Sequence, residues 1–259
     1  MKHLFFLIIL ISVFSCSNKK KENNEADTGN LVPASAPDAF LEKEQGYILP
    51  GMNHGLIQSP INIVTKNLDE GSHEITVHYN KTENRKVANL GHTIQVNFDN
   101  DSYIEYKGKR YTFHQFHFHT PSEHHIDGLT YPMEMHMVHQ AEDNESQSHY
   151  VVVAALFKEG ERNAFIDEFL NYIPEQEQDS NPKEQTFIDV NDLIHSHFIH
   201  GCYHYQGSLT TPPYTESVHW AIMKKIYEAS PEQIEKINMI EGNNARHIQA
   251  LYGRSVEVD

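Results

Sequence analysis

The chain has 259 residues, 39% of them apolar, and its 36 acidic against 20 basic side chains give a formal charge of −16. That length and apolar content suffice for one substantial core, so a single main domain is expected. The acidic excess argues against binding nucleic acid or an anionic surface, which depends on Lys and Arg, and its plain consequence is solubility.

Residues 1–15, MKHLFFLIILISVFS, join one lysine to an unbroken apolar run from Leu4 to Ile11. The run is too short for a membrane span and reads as a secretory signal peptide. Its ending, VFSC, resembles a bacterial lipobox, in which Cys16 takes a lipid and becomes the new N-terminus. Phe14 stands where a small or aliphatic residue is usual, and the alternative is a simple signal with a bystander cysteine. The expected destination is export, with the chain lipid-anchored to a bacterial membrane on its periplasmic or surface side. Residues 16–42 are polar, small and Pro-containing, which predicts a flexible lipidated tether, and 43–259 are the expected catalytic domain. With Cys16 lipidated, Cys202 has no partner in the chain, so the fold must rest on its core.

Short alternating or apolar runs predict strands over Ile75 to Tyr79, Thr93 to Phe98, Tyr103 to Tyr106, Tyr111 to His119, Glu134 to His139, Tyr150 to Phe157, and Glu216 to Ile222. One helix is predicted from Glu161 to Tyr172, ended by Pro174. A second starts at Ser230-Pro231-Glu232-Gln233, with Ser as N-cap, Pro in the first turn and Gln at the capping-box position. There is no internal repeat and no Gly-rich phosphate loop. The fold class is mainly β, a sheet with peripheral short helices.

The chemistry concentrates in HQFHFHTPSEHH, residues 114–125. On a strand, Gln115, His117 and His119 share one face while Phe116 and Phe118 share the other. An open zinc site uses three protein ligands plus water, so a third imidazole is needed. Glu134-Met135-His136-Met137-Val138-His139 supplies it. Gly128 and Pro132 mark a turn between the two strands, and a hairpin there brings His136 beside His117 and His119. Gln115 and Glu134 each lie two residues before a histidine, placed to hold its other ring N–H. The plain alternative is polar pairs on a solvated sheet face, since 19 histidines make chance pairs easy. His3, His73, His78, His149, His195, His197 and His200 read as surface or satisfied core residues, whereas His114, His124, His125 and His139 follow no ligand pattern. His117-x-His119-x-x-x-Glu123 also matches the first half of a cupin motif, but the Gly-rich second half is not found downstream.

Five blocks occur in one order: QSPINI (58–63), QFHFH (115–119), SEH (122–124), EMHMVH (134–139) and GSLTTPP (207–213). Together they resemble the alpha-class carbonic anhydrases, from about Gln58 to Arg246. The resemblance implies a central, mostly antiparallel twisted sheet and zinc (Zn2+) at the bottom of a cleft. It also implies reversible hydration of carbon dioxide to bicarbonate and a proton, through attack by zinc-bound hydroxide. By position, His117, His119 and His136 would bind zinc, with Gln115 and Glu134 as supports. Thr210 would pass its proton to Glu123, and Thr211 would help to hold bicarbonate. Val138, Val152, Leu209, Val218 and Trp220 would form the apolar wall for carbon dioxide, with His124 and Tyr205 in a polar network behind the metal. His92, in Asn89-Leu90-Gly91-His92-Thr93, matches the family's proton shuttle, and imidazole is the natural relay group near neutral pH.

Three departures stand out. The segment GYILPGMNHGL lacks the tryptophans usual at the family's N-terminal edge, and Thr120 replaces a tryptophan of many animal members. Cys202 is not where secreted bacterial relatives form their disulfide, so a free thiol is expected. A homodimer is left open. The rival readings are a catalytically silent binding protein, which typically loses a zinc histidine, and a zinc-scavenging lipoprotein, which would not require Thr210 and Glu123.

Overall fold

The computed structural model describes residues 55–81, 87–98, 101–142, 148–176, 180–181 and 187–259. The expected signal peptide, the tether with Cys16, and the start of the expected domain lie outside the described residues. The strands are β1 (Asn62–Ile63), β2 (Asp69–Glu70), β3 (Ile75–His78), β4 (Val87–Asn89), β5 (Ile94–Asn97), β6 (Tyr103–Tyr106), β7 (Lys109–His119), β8 (His125–Ile126), β9 (Met133–Ala141), β10 (Tyr150–Glu159), β11 (Ser180–Asn181), β12 (Phe198–Ile199), β13 (Cys202–Gly207), β14 (Val218–Ala229) and β15 (Glu257–Val258). Three α-helices, α1 (Ala164–Leu170), α2 (Asn191–Ile194) and α3 (Pro231–Glu241), and one 3-10 turn at Thr65–Asn67 accompany them among the described residues. None is long and apolar enough to cross a membrane.

Among the described residues, thirteen strands form one sheet with the main path β11-β4-β5-β7-β9-β10-β14-β13-β15-β2, from which β6, β3 and β12 branch at β7. Within it only β10–β14 and β15–β2 pair in parallel, so the sheet is mixed and mostly antiparallel. Strands β1 and β8 form a small parallel pair of their own.

The central strands are covered on both faces. On one, Phe116, Phe118, Met135, Met137, Val151, Val153 and Phe157 pack against Phe165 and Phe169 of α1 and Ile237 of α3. On the other, Val152, Ala154, Leu156, Val218, Trp220 and Ile222 pack with Ile61, Ile63 and Ile126. Burial on both sides explains why β10 reads as the continuous apolar run YVVVAALF, with no alternation.

A bulge interrupts β7. Its register to β9 shifts between Phe113 and Gln115, which leaves His114 exposed and turns Phe113 into the same cluster as Phe116 and Phe118. Simple alternation over Tyr111 to His119 would have put Phe113 on the opposite face. Beyond the bulge the expected parity holds, and His117 pairs with His136 across the two strands.

Helix α3 starts as its sequence indicates. Gln233 N donates to Ser230 Oγ at 3.3 Å, and Ser230 N donates to Gln233 Oε1 at 3.1 Å, closing the capping box. The helix expected over Glu161 to Tyr172 is shorter, with Asn163 as N-cap. The strand expected from Glu216 to Ile222 is displaced. It begins at Val218 and continues to Ala229, through the exposed pair Lys224 and Lys225 whose polarity masks it.

The segment after Leu251 fastens distant parts together. Arg254 donates to Gln58 O at 2.8 Å and to Gln206 O at 2.9 Å. Asp69 N and Gly71 N donate to Val256 O and Val258 O, each at 2.9 Å, and Cys202 N donates to Asp259 Oδ1 at 2.7 Å.

Candidate active site

His117 and His119 rise from one face of β7, and His136 from the paired position on β9. One ring nitrogen from each lies within 4.8 Å of the other two. The rings are splayed, with interplanar angles of 73°, 89° and 51°, so they converge without stacking.

Each imidazole is set for its task by its other nitrogen. Nδ1 of His117 is 2.9 Å from Gln115 Oε1, and Nε2 of His136 is 2.8 Å from Glu134 Oε1. An amide or carboxylate oxygen only accepts, so these ring nitrogens carry the hydrogens and the lone pairs sit on Nε2 of His117 and Nδ1 of His136. His119 is buried, and neither of its ring nitrogens meets a partner in hydrogen-bond geometry, although the backbone and side chain of Asn244 lie near enough to favour its protonated form. Orphaned buried polar atoms are costly and rare. Three converging nitrogens, two with lone pairs fixed and one wholly unpaired, fit a divalent cation.

Electrostatics agree with that fit. Burial, followed by the neighbouring imidazoles of His119 and His136, holds His117 well below its ordinary pKa. Burial brings His119 down to about 4 and lowers His136 as well. All three are therefore neutral at pH 7, the form that binds a metal.

Behind the triad stands a satisfied polar network. Burial opposes ionisation of Glu134, yet the imidazoles of His124 and His136 outweigh it and keep its carboxyl well below the usual range. Its Oε2 accepts from the backbone N–H groups of Glu123 and His124, each at 2.8 Å, and its Oε1 lies 2.6 Å from His124 Nδ1. His124 Nε2 is 2.7 Å from the Tyr205 hydroxyl, which donates to Ser59 Oγ at 2.8 Å. Ser59 and Ser208 then bond each other reciprocally at 3.0 Å. A Cβ at Gly207 would collide with Ser59 Oγ, Tyr205 and Trp220, so glycine is required for this approach.

Glu123 occupies the other side of the triad. Burial raises its pKa, while His136, the Thr210 hydroxyl and the Arg246 N–H draw it back. Arg246 N donates to Oε1 at 2.8 Å. Its Oε2 lies 3.5 Å from His119 Nε2 and has no hydrogen-bond partner, while the Thr210 hydroxyl is close enough to the carboxyl to lower its pKa. The apolar residues form a row beside the metal face: Val138 pairs with Val152, and Val152 with Trp220. The Trp220 ring is 4.8 Å from that of His136. Val218 and Leu209 join the same cluster, and Thr211 is exposed. His92 is exposed on the turn after Gly91, close enough to depress His117 electrostatically. Its carbonyl accepts from Asn244 Nδ2 at 2.8 Å.

The structure thus groups His117, His119 and His136 with Gln115, Glu123, His124, Glu134, Tyr205 and the apolar row, and places His92 and Thr211 at exposed positions; Cys16 lies outside the described residues. Sequence reading missed Ser59 and Arg246. Ser59 belongs to the QSPINI block and could have been read from it, whereas Arg246 acts on Glu123 through its backbone N–H, which no side-chain pattern reveals. Thr120, in place of a tryptophan, is buried and donates to Gly242 O at 2.8 Å. Cys202 is a buried free thiol, as expected.

Comparison with known proteins points the same way. A family model described as eukaryotic-type carbonic anhydrase matches residues 49–259. A carbonic anhydrase of Neisseria gonorrhoeae is 33% identical over 252 residues, spanning 96% of this chain and 94% of that protein. The solved alpha-carbonic anhydrase of Thermovibrio ammonificans, in complex with the inhibitor sulfanilamide, is 33% identical with a TM-score of 0.70, covering 85% of this chain and 91% of that one. Dioscorin, solved in complex with ascorbate, is also similar at 27% identity and a TM-score of 0.69, covering 79% and 86%. With the full histidine triad and its supports in place, the chain belongs to the eukaryotic-type carbonic anhydrase family and is an enzyme of that class.

Proposed function

We propose that the protein catalyses the reversible hydration of carbon dioxide at a zinc ion held by His117, His119 and His136. The observation that carries this reading is the triad itself: three neutral imidazoles, two oriented by Gln115 and Glu134 and one with both nitrogens unpaired in the interior. Zinc bound there supplies a Lewis acid that makes water nucleophilic near neutral pH, the effect for which carbonic anhydrase is the reference case.

The chain's own residues do the rest. Thr210 gives its hydroxyl proton to a hydrogen bond with Glu123, which leaves its oxygen free to accept from the nucleophile and so aim it. Burial raises the Glu123 pKa, and His136 and the Arg246 N–H partly counter it, which favours the carboxylate that accepts. Carbon dioxide is apolar and asks only for a dry wall, which Val138, Val152, Leu209, Val218 and Trp220 provide. Thr211 helps to hold the bicarbonate product. Rapid carbon dioxide hydration by the purified protein, lost with a chelator and restored by zinc, tests the reading. Zinc binding without hydration would favour a zinc-scavenging role.

His92 is the proposed proton relay. His92→Ala is expected to lower kcat by roughly ten- to a hundredfold, toward the low end of what a general acid–base group contributes. The ratio kcat/KM should hold, because it reports attack on carbon dioxide and not the later exit of the proton. Added imidazole buffer should restore kcat. Equal loss of both parameters without rescue would make His92 a structural residue.

The N-terminal signal and a lipid on Cys16 place this domain on a tether at a bacterial membrane, on the periplasmic or surface side. Cys16→Ser is expected to move the protein from the membrane fraction to the soluble fraction with unchanged specific activity. Continued membrane association would remove the lipid anchor.

A further inference from the structure

A buried acid, Glu241, closes the last turn of α3 and reaches two strands of the active site. Its Oε2 accepts from Ile94 N at 3.3 Å, at the start of β5, and its Oε1 lies 3.2 Å from Thr120 Oγ1, just beyond β7. Ile94 follows His92 by two residues, and Thr120 follows His119 directly. One carboxyl thus joins the turn of the relay histidine to the end of a ligand strand. Ile94 is fully buried, so its N–H needs an acceptor inside the protein, and Glu241 supplies it.

The hydrogens around Thr120 decide the form of that carboxyl. Thr120 Oγ1 is 2.8 Å from Gly242 O, a group that only accepts, so the single hydroxyl hydrogen goes there. Asn238 Nδ2 donates to the same Oγ1 at 3.1 Å. The contact with Glu241 Oε1 then needs its hydrogen from the carboxyl, and the hydroxyl, with one donor and two acceptor sites, is filled when Glu241 gives it. Burial agrees, pushing Glu241 up to about 8 against the pull of the Ile94 N–H and the Thr120 hydroxyl, with no charged side chain among the influences. Asn244 runs a parallel link. Its Oδ1 accepts from Thr120 N at 3.0 Å, and its Nδ2 donates to Phe118 O at 3.1 Å as well as to His92 O. Thr93 Oγ1 donates to Phe118 O at 3.0 Å.

We propose that Glu241 is a positioning residue for proton transfer: as a neutral acid it ties the turn that carries His92 to the end of the strand that carries His119. The proposal rests on His92 as the relay. A relay group serves only while its place relative to the site is held. The register of β5 with β7 begins at Gln95, so His92 to Ile94 precede it and depend on these side-chain bonds. A neutral carboxyl suits the task, since one oxygen accepts from Ile94 while the other donates to Thr120. Thr120 stands where many animal members of the family have tryptophan, so this brace belongs to the chain and not to that pattern.

The test compares Glu241→Gln with Glu241→Leu in the zinc-loaded full chain, beside His92→Ala. Glutamine keeps an oxygen for Ile94 and an N–H for Thr120, whereas leucine fills the space and makes neither bond. In the leucine variant, hydrogen–deuterium exchange of the amides of residues 90–94 should quicken by roughly tenfold or more, as for a segment that opens locally. Its kcat should fall roughly threefold to tenfold, less than in His92→Ala because Asn244 and Thr93 still hold the turn, while kcat/KM stays and imidazole buffer restores kcat. The glutamine variant should match the natural protein in exchange and in kcat. If the leucine variant does not fold, Thr120→Val, similar in shape and without the hydroxyl, takes its place with the same expectations. Unchanged exchange at residues 90–94 would overturn the proposal, as would a glutamine variant that loses as much kcat as the leucine one, or equal loss of kcat and kcat/KM. A His92→Ala variant with normal kcat would sink the relay reading and the proposal together, whereas a normal kcat in Glu241→Leu beside a slowed His92→Ala would overturn the proposal alone.

Discussion

His117→Ala is expected to remove one zinc per chain and to lower carbon dioxide hydration to the uncatalysed level. Two protein ligands rarely retain a catalytic zinc, and the loss cannot be made good nearby. Gln115, the support of His117, is neutral and keeps its place on the strand, whereas Glu134 is already bonded to His136 and His124, and Glu123, 3.5 Å from His119, is engaged by Arg246. The fold should survive, because His117 is only half-buried and its strand neighbours Phe116 and Phe118 carry the packing. Metal content and activity should therefore fall while the circular dichroism spectrum stays the same. Unchanged zinc in the variant would take His117 out of the site.

Thr210→Ala separates orientation from metal binding. The variant should keep its zinc and lose about two orders of magnitude in kcat/KM, the scale of deleting one well-placed polar group from an active site. The threonine touches no ligand imidazole among the contacts of the triad; its influence falls on Glu123. A rate unchanged within twofold would mean that the hydroxyl does not aim the nucleophile, and Glu123 would then need another role.

Much of the site was legible because it lies on two regular strands. Alternation put His117 and His119 on one face, the Gly128 and Pro132 turn brought His136 across, and the positions of Gln115 and Glu134 gave the supports. What escaped was structure that alternation cannot express. The bulge at His114 reverses parity within β7, so Phe113 joins Phe116 and Phe118 where unbroken alternation would set it opposite them. Strand β13 was missed because CYHYQG mixes a buried histidine and a glycine with tyrosines and reads as polar, although all but Gln206 is buried. For the same reason His204 and His219 drew no attention as a pair. Their nearness depends on β13 pairing with β14, where His204 meets Ala221 and His219 meets Gln206, and on His73 arriving from a distant segment. The strand and helix ends moved by a few residues, as at Ala164–Leu170, where packing on the sheet and not the apolar period sets the length.

The stitching of the segment after Leu251 onto Gln58, Asp69, Gly71, Cys202 and Gln206 also bears on how the chain reaches its native state. Strand β15 comes after every other described strand, yet it is the partner that β2 must find. Such pairing between distant parts is slow, because loop closure has to precede any gain from contact. A polypeptide whose early edge waits for its latest described strand can close that side of its sheet only once β15 has been made, so a nascent chain holds β2 open until then.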